Sequence, residues 1–324
     1  MTGPRPARGL RLLADVGGTN ARFAIQRPGA PPSDLRVISD DSFPTLAAAA
    51  EAYLEGLADA ERPRLAAFAV ASPVIGDRID MTNRAWSFSI DALRQALGLD
   101  LLHVVNDIEA VALALPALDA SDRRQIGAGA PVAEAPVGVL APGTGLGTAT
   151  LIWHDGKAIA LASEGGHVTM AAADDDEAAV LGWLRRNLGH VSAERVLSGQ
   201  GLINLHRALS ALAGATDEPA LTAVEIGGHA VARSDPQARA AVALFSAMLG
   251  SFAGNLALTL GALGGIYIAG GVVPKLGAAF DEARFRARFE DKGRFQPYLA
   301  RIPTWLVTHE TPALLGLAAL LDRA

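Results

Sequence analysis

The sequence predicts a two-domain α/β protein whose halves share one design. Half of the 324 residues are hydrophobic, which is enough for a sizeable core. A strand, a glycine-rich turn and a second strand are predicted at LLADVGGTNARFAIQ (12–26), and the same order returns at VGVLAPGTGLGTATLIW (137–153). Further strand and helix patterns follow each stretch. Such a repeat is typical of a duplicated fold.

Composition argues against several classes of function. The chain carries 34 acidic and 28 basic residues, a formal net charge of −6, and no long run of Lys and Arg. We therefore expect no nucleic-acid partner. It contains no cysteine, which excludes a disulfide framework, a thiolate nucleophile and a Cys-based metal site. This composition suits a reducing compartment, and we expect a cytoplasmic protein.

The first half places polar residues at the end of a buried strand. The patterns predict a helix at 45–59, a strand at 65–70, a helix at 89–98 that a glycine ends, and a strand at 101–107. Ligands of open α/β sheets lie outside the carboxyl ends of the strands. Asn106 and Asp107, which end LLHVVND, are therefore candidate site residues.

The second half contains a long uncharged stretch, 240–274. It is long enough to span a membrane and includes a GxxxG spacing. Its glycines favour instead a buried helix to about Leu263, then the strand GIYIAG and a turn, so we expect no membrane association. A charged helix is predicted at 174–189, and another helix is predicted to begin at Ser192-Ala-Glu194. Pro, Gly, Ser and Asp residues near 118–135 indicate a domain boundary.

Three glycine-rich turns are candidates for binding phosphate: DVGGTN, PGTGLGT and IAGGVVP. Backbone N–H groups that converge on an anion need the conformations and the close approach that glycine allows. GxxxxGK[ST] is absent, and Thr148 takes the last glycine position of GxGxxG, which disfavours a P-loop or dinucleotide site. Each turn alone is more often an ordinary connection. All three together favour a nucleotide.

Two carboxylates lie at predicted strand ends. Asp15 precedes the first turn, where it could hold Mg²⁺ directly or through water, or could simply cap the turn. Asp107 is placed to accept a proton from a substrate hydroxyl during phosphoryl transfer. The alternative is that it caps a helix that begins at about Ile108.

The stretch SEGGHVTM (163–170) holds Glu164 and His167 apart by two glycines. A metal site is poorly supported, because no further ligand is near in sequence. The alternative without a function is an ordinary loop with a solvated Glu and a partly buried His. Glu194 could favour the positive start of its predicted helix, or could face a ligand together with Glu164.

These motifs together resemble the bacterial glucokinase family, the zinc-independent ATP:hexose kinases of the hexokinase/actin-like (ribonuclease-H-like) fold. The resemblance covers nearly the whole chain, in LADVGGTNAR, SPVIGD, MTNRAWSFSI, VVNDIEAVALALP, APGTGLGTA, EGGHV, GHVSAERVLSGQGL, GNLALTLGALGGIYIAGGVVP and FEDKGRF. Ala14, Pro142 and TMAA after EGGHV depart from the usual family pattern. The changes leave the expected contacts intact.

The resemblance implies phosphorylation of glucose at O6 by ATP with Mg²⁺, the first step of glucose use in glycolysis, in a homodimer. It implies a small domain at 1–118 completed by a C-terminal helix within 308–324, a large domain at 119–307, and a sugar/ATP cleft between them. Nucleotide contacts would be Ala14, Asp15, Val16, Gly17, Gly18, Thr19, Asn20, Gly143, Thr144, Gly145, Gly270 and Gly271, with Mg²⁺ at Asp15. Sugar contacts would be Asn83, Asn106, Asp107, Glu164, His167 and Glu194. Asp107 would be the catalytic base.

Two rival functions use the same fold. A sugar sensor or transcriptional regulator is disfavoured because only about ten residues precede the first strand, too few for a helix-turn-helix module, and because Asp15 and Asp107 are both present. An actin-like nucleotide switch would leave Glu164, His167 and Glu194 without a role.

Overall fold

The computed structural model describes residues 9–57, 61–81, 86–215 and 221–323. Its contacts divide the chain into unit 1, Met1–Leu118 with His309–Ala324, and unit 2, Asp119–Thr308. The strands are β1 (Arg11–Val16), β2 (Asn20–Gln26), β3 (Ser33–Ser39), β4 (Leu65–Val70), β5 (Arg78–Asp80), β6 (Ser87–Ser89), β7 (Leu101–Asn106), β8 (Arg123–Ile126), β9 (Val137–Pro142), β10 (Leu146–His154), β11 (Lys157–Ser163), β12 (Gly265–Ile268) and β13 (Thr304–Val307). The α-helices are α1 (Leu46–Leu54), α2 (Ile90–Ala96), α3 (Asp107–Ala114), α4 (Asp175–Leu188), α5 (Gly199–Leu212), α6 (Ala223–Ala232), α7 (Pro236–Leu260), α8 (Val272–Leu276), α9 (Glu282–Glu290), α10 (Gln296–Leu299) and α11 (Pro312–Leu321).

Unit 1 is built on a five-stranded sheet with the order β3-β2-β1-β4-β7. The strand β1 pairs antiparallel with β2 and parallel with β4, which pairs parallel with β7. Five of the six residues of β4, LAAFAV, are buried, as expected for a central parallel strand covered on both faces. Parallel pairing brings the carboxyl ends of β1, β4 and β7 to one edge of the sheet.

The C-terminal helix α11 is part of unit 1. It packs so closely on α3 that a Cβ on Gly316 would lie 1.8 Å from the carbonyl oxygen of Ala110, a contact that only glycine permits. The buried guanidinium of Arg11 donates to Gln26 Oε1 at 3.1 Å and forms an ion pair with Asp322 at 2.5 Å. These contacts hold the end of the chain beside the first strand.

Unit 2 repeats the arrangement in a six-stranded sheet with the order β11-β10-β9-β12-β13-β8. The strand β9 pairs antiparallel with β10 and parallel with β12, which pairs parallel with β13. The hairpin β9–β10 therefore occupies the place that β1–β2 has in unit 1. The predicted duplication is confirmed, and each half presents one glycine-rich turn.

The uncharged stretch of the second half forms most of α7, then β12. The helix α7 is long and apolar enough to cross a membrane, but 72% of its most apolar window is buried inside the protein. Its C-terminal cap is Gly261, with φ +60°. A buried helix followed by a strand is the interpretation that the glycines favoured.

Two predicted helices differ from the structure. The helix predicted at 45–59 ends at Leu54, because Glu55 (ψ 131°) and Gly56 (φ +90°) leave the helical conformation; residues 58–60 lie outside the described part. The prediction of a helix at Ser192-Ala-Glu194 is wrong. That segment donates main-chain hydrogen bonds to Val168 and Gly166, and α5 begins later, at Gly199.

Candidate functional site

The first turn joins β1 to β2 at Gly17–Thr19. The N–H of Gly17 donates to the carbonyl oxygen of Asn20 at 3.0 Å, and a Cβ on Gly17 would lie 3.3 Å from that oxygen. Ala14 and Val16 are fully buried strand residues, so they can meet a ligand only through the main chain. Gly18, Thr19 and Asn20 complete the turn, and Asn20 donates to Thr19 Oγ1 at 3.3 Å. The turn exposes peptide groups and small polar side chains.

Asp15 and Asp107 lie at the same edge of the unit 1 sheet. Asp15 pairs in register with Ala69 of β4, and Ala69 pairs with Val105 of β7, two residues before Asp107. Residues in register or two apart share a face of a sheet. Asp15 and Val105 therefore share a face, and Asp107, which begins α3 just after β7, is close enough to Asp15 for the charge of Asp15 to raise its pKa.

Both carboxylates have raised pKa values. Burial raises the pKa of Asp15, and the ion pair with Arg22, at 3.1 Å, opposes that rise. Burial, followed by repulsion from Asp15, raises the pKa of Asp107 to about 6. Hydrogen bonds from nearby main-chain N–H groups and from Asn106 act in the opposite direction. A carboxyl group with a pKa near neutrality in a cleft of polar groups is typical of a general base.

Asn106, rather than Asp107, is the N-cap of α3. Its side-chain oxygen accepts from the N–H groups of Ile108 at 2.9 Å and Glu109 at 3.3 Å. Asp107 is the first residue of the helix, and its Oδ1 also accepts from the N–H of Ile108, at 2.9 Å. The expectation that Asp107 caps this helix is therefore wrong. Since Asn106 already does so, capping does not explain the carboxylate at 107.

The second turn, Gly143–Gly145, joins β9 to β10 in unit 2. Its Gly143 N–H donates to the carbonyl oxygen of Gly145 at 2.8 Å, and Gly143 accepts from the N–H of Gly199, at the start of α5, at 2.9 Å. Thr144, at the tip, is exposed. The turn is therefore fixed by hydrogen bonds while its tip is free to meet a ligand.

The third glycine pair lies beside the second turn. Gly270 has φ +78°, and a Cβ there would lie 2.5 Å from the carbonyl oxygen of Pro142, the last residue of β9. Gly271 is the N-cap of α8. A cavity of about 680 Å³ opens here, lined by Gly143, Thr144, Gly199, Leu202, Ala223, Val224, Gly227, Gly271, Val272, Lys275 and Leu276. Its volume is in the range of small-molecule sites, about 300–1,000 Å³.

A larger groove of about 1370 Å³ lies among helices of unit 2, lined by residues such as Leu212, Val231 and Phe280. None of the predicted site residues lines it. Chemistry, rather than size, therefore identifies the smaller cavity as the candidate site.

The stretch SEGGHV forms a short turn against β10. A Cβ on Gly166 would lie 2.0 Å from the carbonyl oxygen of Leu146, and one on Gly165 would lie 2.7 Å from Thr148 Oγ1. Neither glycine has a positive φ, so they are needed for close packing rather than for an unusual conformation. Glu164 and His167 are about 60% exposed, with their Oε2 and Nε2 atoms 3.7 Å apart. Both side chains face outward, where a ligand could reach them.

Glu194 links this stretch to the second turn. Its N–H donates to the carbonyl oxygen of Gly166 at 2.9 Å, and its Oε2 accepts from the N–H of Leu146 at 2.9 Å. The same oxygen lies 2.5 Å from the position of a Cβ on Gly145. Glu194 therefore holds the second turn in place and does not face a helix dipole.

The remaining points concern Asn83, the predicted Mg²⁺ site and two residues that the sequence analysis missed. Asn83 lies outside the described residues. Among the described residues, no group of three or more His, Asp or Glu side chains could hold a metal ion. Sequence reasoning missed Arg22, although counting along the hairpin pairs it with Asp15. It also missed Lys275, which is four residues after Gly271 and lines the cavity.

A duplicated α/β fold with two glycine turns, a nucleotide-sized cavity and a carboxylate of raised pKa defines a kinase of the hexokinase/actin-like class. The comparisons with known proteins agree. The family model described as Glucokinase matches residues 12–324, and the chain belongs to that family.

The chain is also similar to individual members of this family and to a solved structure. The chain is 53% identical to a glucokinase of Aromatoleum aromaticum, over 97% of this chain and 95% of that one. It is 52% identical to a bifunctional protein of Burkholderia thailandensis, of which it spans 49%. The crystal structure of a glucokinase from an Antarctic psychrotroph matches with a TM-score of 0.88 and 36% identity, over 97% of this chain and 99% of that one.

Proposed function

We propose that this protein is a glucokinase, which transfers the γ-phosphoryl group of ATP to the 6-hydroxyl of glucose to give glucose 6-phosphate and ADP. Family membership over residues 12–324 supports the reaction. The observation that carries the mechanism is the partly buried carboxylate pair of unit 1, in which Asp107 has a pKa of about 6.

Asp107 acts as the general base. Its carboxylate accepts the proton of the glucose 6-hydroxyl as that oxygen forms a bond to the γ-phosphorus and the bond to the β-phosphate oxygen breaks. A base with a pKa near the working pH is largely ionised yet still accepts a proton, which contributes about 10²–10⁴-fold to the rate. Positioning and charge neutralisation supply the rest, as in other phosphoryl transfers.

The sugar is held by hydrogen bonds to its hydroxyl groups. Asn106, Asp107, Glu164, His167 and Glu194, together with Asn83, are the proposed contacts. One oxygen of Glu194 is occupied by the N–H of Leu146, so its other oxygen is the one that accepts from glucose. A carboxylate deprived of its hydroxyl partner costs about 1–3 kcal/mol, and this penalty discriminates against sugars that lack the hydroxyl.

ATP is held by the main chain of the glycine turns and by the cavity of unit 2. The first turn (Gly17–Thr19, with Ala14, Val16 and Asn20 beside it) and the second turn (Gly143–Gly145) bind phosphate through peptide N–H groups. Gly270 and Gly271 pass close to the nucleotide because no side chain intervenes. The apolar cavity wall takes the adenosine, as the walls of small-molecule sites generally do.

Asp15 fits a Mg²⁺ ion that arrives with the nucleotide. Magnesium sites of kinases use one or two carboxylates plus the phosphates and water, so a single carboxylate beside a phosphate turn is sufficient. The bound ion would neutralise charge on the phosphates. Arg22, 3.1 Å from Asp15, favours the ionised form of that carboxylate and so opposes the rise in its pKa that burial causes.

We further propose a cytoplasmic homodimer that acts on glucose and ATP and has no nucleic-acid or membrane partner. The absence of cysteine supports a cytoplasmic protein, and the acidic balance argues against a nucleic-acid partner. The burial of α7 argues against a membrane partner. The homodimer rests on the family resemblance.

A coupled assay of ADP release across a panel of hexoses tests the proposed function. We expect release that depends on glucose and on Mg²⁺. A sugar sensor would bind glucose without turnover, and an actin-like switch would hydrolyse ATP at a rate that sugar does not change. Either result would contradict the kinase.

A further inference from the structure

Lys275 carries the charge in the cavity of unit 2. Of the described residues that line this cavity, the others are glycines, apolar residues and Thr144. The whole sequence contains only three lysines: Lys157, Lys275 and Lys292. An ammonium group in an otherwise apolar and glycine-lined cavity points to an anionic ligand.

The ammonium group lies beside Gly271, a glycine of the cavity lining. Lys275 is in α8, and its side chain folds back towards the start of the helix, where Cε and Nζ lie 3.7 and 3.8 Å from the position of a Cβ on Gly271. The preceding Gly270 abuts the carbonyl oxygen of Pro142, just before the second turn. Lys275 is exposed and forms no ion pair with any described residue.

Much of the remaining lining of the cavity is apolar. Leu202, Val224, Val272 and Leu276 line it, and this surface suits a heterocyclic base rather than a phosphate. A ligand that fills this cavity therefore meets both apolar surface and one ammonium group, which suits a molecule with an apolar ring and a negative charge. A nucleotide has this arrangement, with the α-phosphate closest to its ribose.

We propose that Lys275 binds the phosphates nearest the ribose and thereby selects nucleoside di- and triphosphates over nucleosides. The inference rests on the proposed use of ATP as the phosphoryl donor. Lys275 lines the same cavity of unit 2 as the apolar wall proposed to take the adenosine, and the α- and β-phosphates are the ones closest to the adenosine. The α- and β-phosphates are therefore the partners of the ammonium group.

This position has a kinetic consequence. The α- and β-phosphates are present in ATP, in the transition state and in ADP, so the contact stabilises all three alike. Uniform binding of this kind lowers KM without raising kcat. Loss of the ammonium group should therefore lower kcat/KM for ATP, with the loss found in KM.

Isothermal titration with Mg·ATP, Mg·ADP and adenosine tests the inference. Lys275→Met keeps the length and apolar stem of the side chain and removes the charge. We expect the Kd for ATP and for ADP to rise about tenfold each, as for loss of one charged hydrogen bond near a surface, while the Kd for adenosine stays within twofold. Lys275→Arg should restore most of the affinity. Lys157→Met, on the exposed start of β11, is the matched control and should bind all three ligands as the wild type does.

A second measurement needs no variant. Acetylation of lysines in the wild-type protein, mapped by mass spectrometry, should be slowed at Lys275 by ATP and by ADP but not by adenosine, and should be unchanged at Lys157. Unaltered ATP binding by Lys275→Met, or equal losses of ATP and adenosine, would overturn the role of the ammonium group. A wild-type protein that binds no ATP would instead overturn the proposed function itself.

Discussion

The raised pKa of Asp107 predicts where catalysis is lost on acidification. Its pKa is about 6, against an ordinary value of 3.8, and a general base must be ionised to accept a proton. A carboxyl group with this pKa is about 90% ionised at pH 7 and about 10% ionised at pH 5. The kcat/KM for glucose should therefore fall about tenfold between these two values. A carboxyl group of ordinary pKa would lose almost nothing over the same range.

The assay is the initial rate of ADP release at saturating Mg·ATP and low glucose, at constant ionic strength from pH 4.5 to 8.5. Reassay at pH 7.5 after incubation at pH 5 controls for unfolding. Nucleotide phosphates also titrate near pH 6, so Asp15→Asn supplies the decisive comparison. Repulsion from Asp15 is the second-largest cause of the raised pKa of Asp107.

Removal of the charge at Asp15 should lower the overall rate, because Mg²⁺ loses its carboxylate, and should move the midpoint of the remaining activity to lower pH. The titration of free Mg·ATP in solution is the same for both proteins. A midpoint that is the same in Asp15→Asn as in the wild type, or a rate that is flat from pH 7 to 5, would refute the assignment of the base.

The remaining predictions concern stability and ligand binding. The pKa of Asp107 is higher in the folded protein, so its ionisation opposes folding at pH values above about 6, and this cost vanishes below its ordinary pKa of 3.8. Asp107→Asn should therefore raise the free energy of unfolding, measured in urea at pH 8, by up to about 3 kcal/mol before screening by water. At pH 3.5 the same substitution should change it by almost nothing. Equal effects at pH 8 and pH 3.5 would contradict this prediction. Gly166→Ala would place a Cβ 2.0 Å from a carbonyl oxygen of β10 and should lower the free energy of unfolding by at least about 2 kcal/mol. Gly228→Ala, in open space within α6, is its control and should gain up to about 1 kcal/mol. Glu194→Ala should raise the KM for ATP as well as the KM for glucose, because it also releases the second turn. His167→Ala should raise only the KM for glucose. If both variants changed only the KM for glucose, the link between Glu194 and the second turn would be ruled out.

Local sequence patterns predicted the strands and helices whose formation depends mainly on residues close together in the chain. The two hairpins, the strand 65–70 and the helix 174–189 follow from alternation, glycine position and charges at the helix ends, and the structure contains all of them within a residue or two. The duplication could be inferred because the order of strand, glycine-rich turn and strand occurs twice in the sequence, and the structure gives each hairpin the same place in its sheet. The glycine pair at 165–166 was also recognisable as special, although its reason is close packing against β10.

Features that depend on distant parts of the chain could not be predicted in this way. Glu194 follows Ser192 in a segment that resembles the start of a helix, yet its partner is the N–H of Leu146, 48 residues earlier. The pKa of Asp107 depends on Asp15, which the sheet brings near it from the start of the chain. The cavity that Lys275 lines is formed by separate helices and turns, and no short sequence pattern describes it.

The central claim is that Asp107 accepts the proton from glucose while ATP donates its γ-phosphoryl group. Phosphorus NMR of the protein with Mg·ATP and glucose tests it most directly, for the wild type and for Asp107→Asn whose glucose binding is first verified by titration. We predict glucose 6-phosphate and ADP in equal amounts with the wild type, and a rate at least about 100-fold lower with Asp107→Asn. Release of inorganic phosphate without sugar phosphate, or near-normal turnover by Asp107→Asn, would contradict the claim.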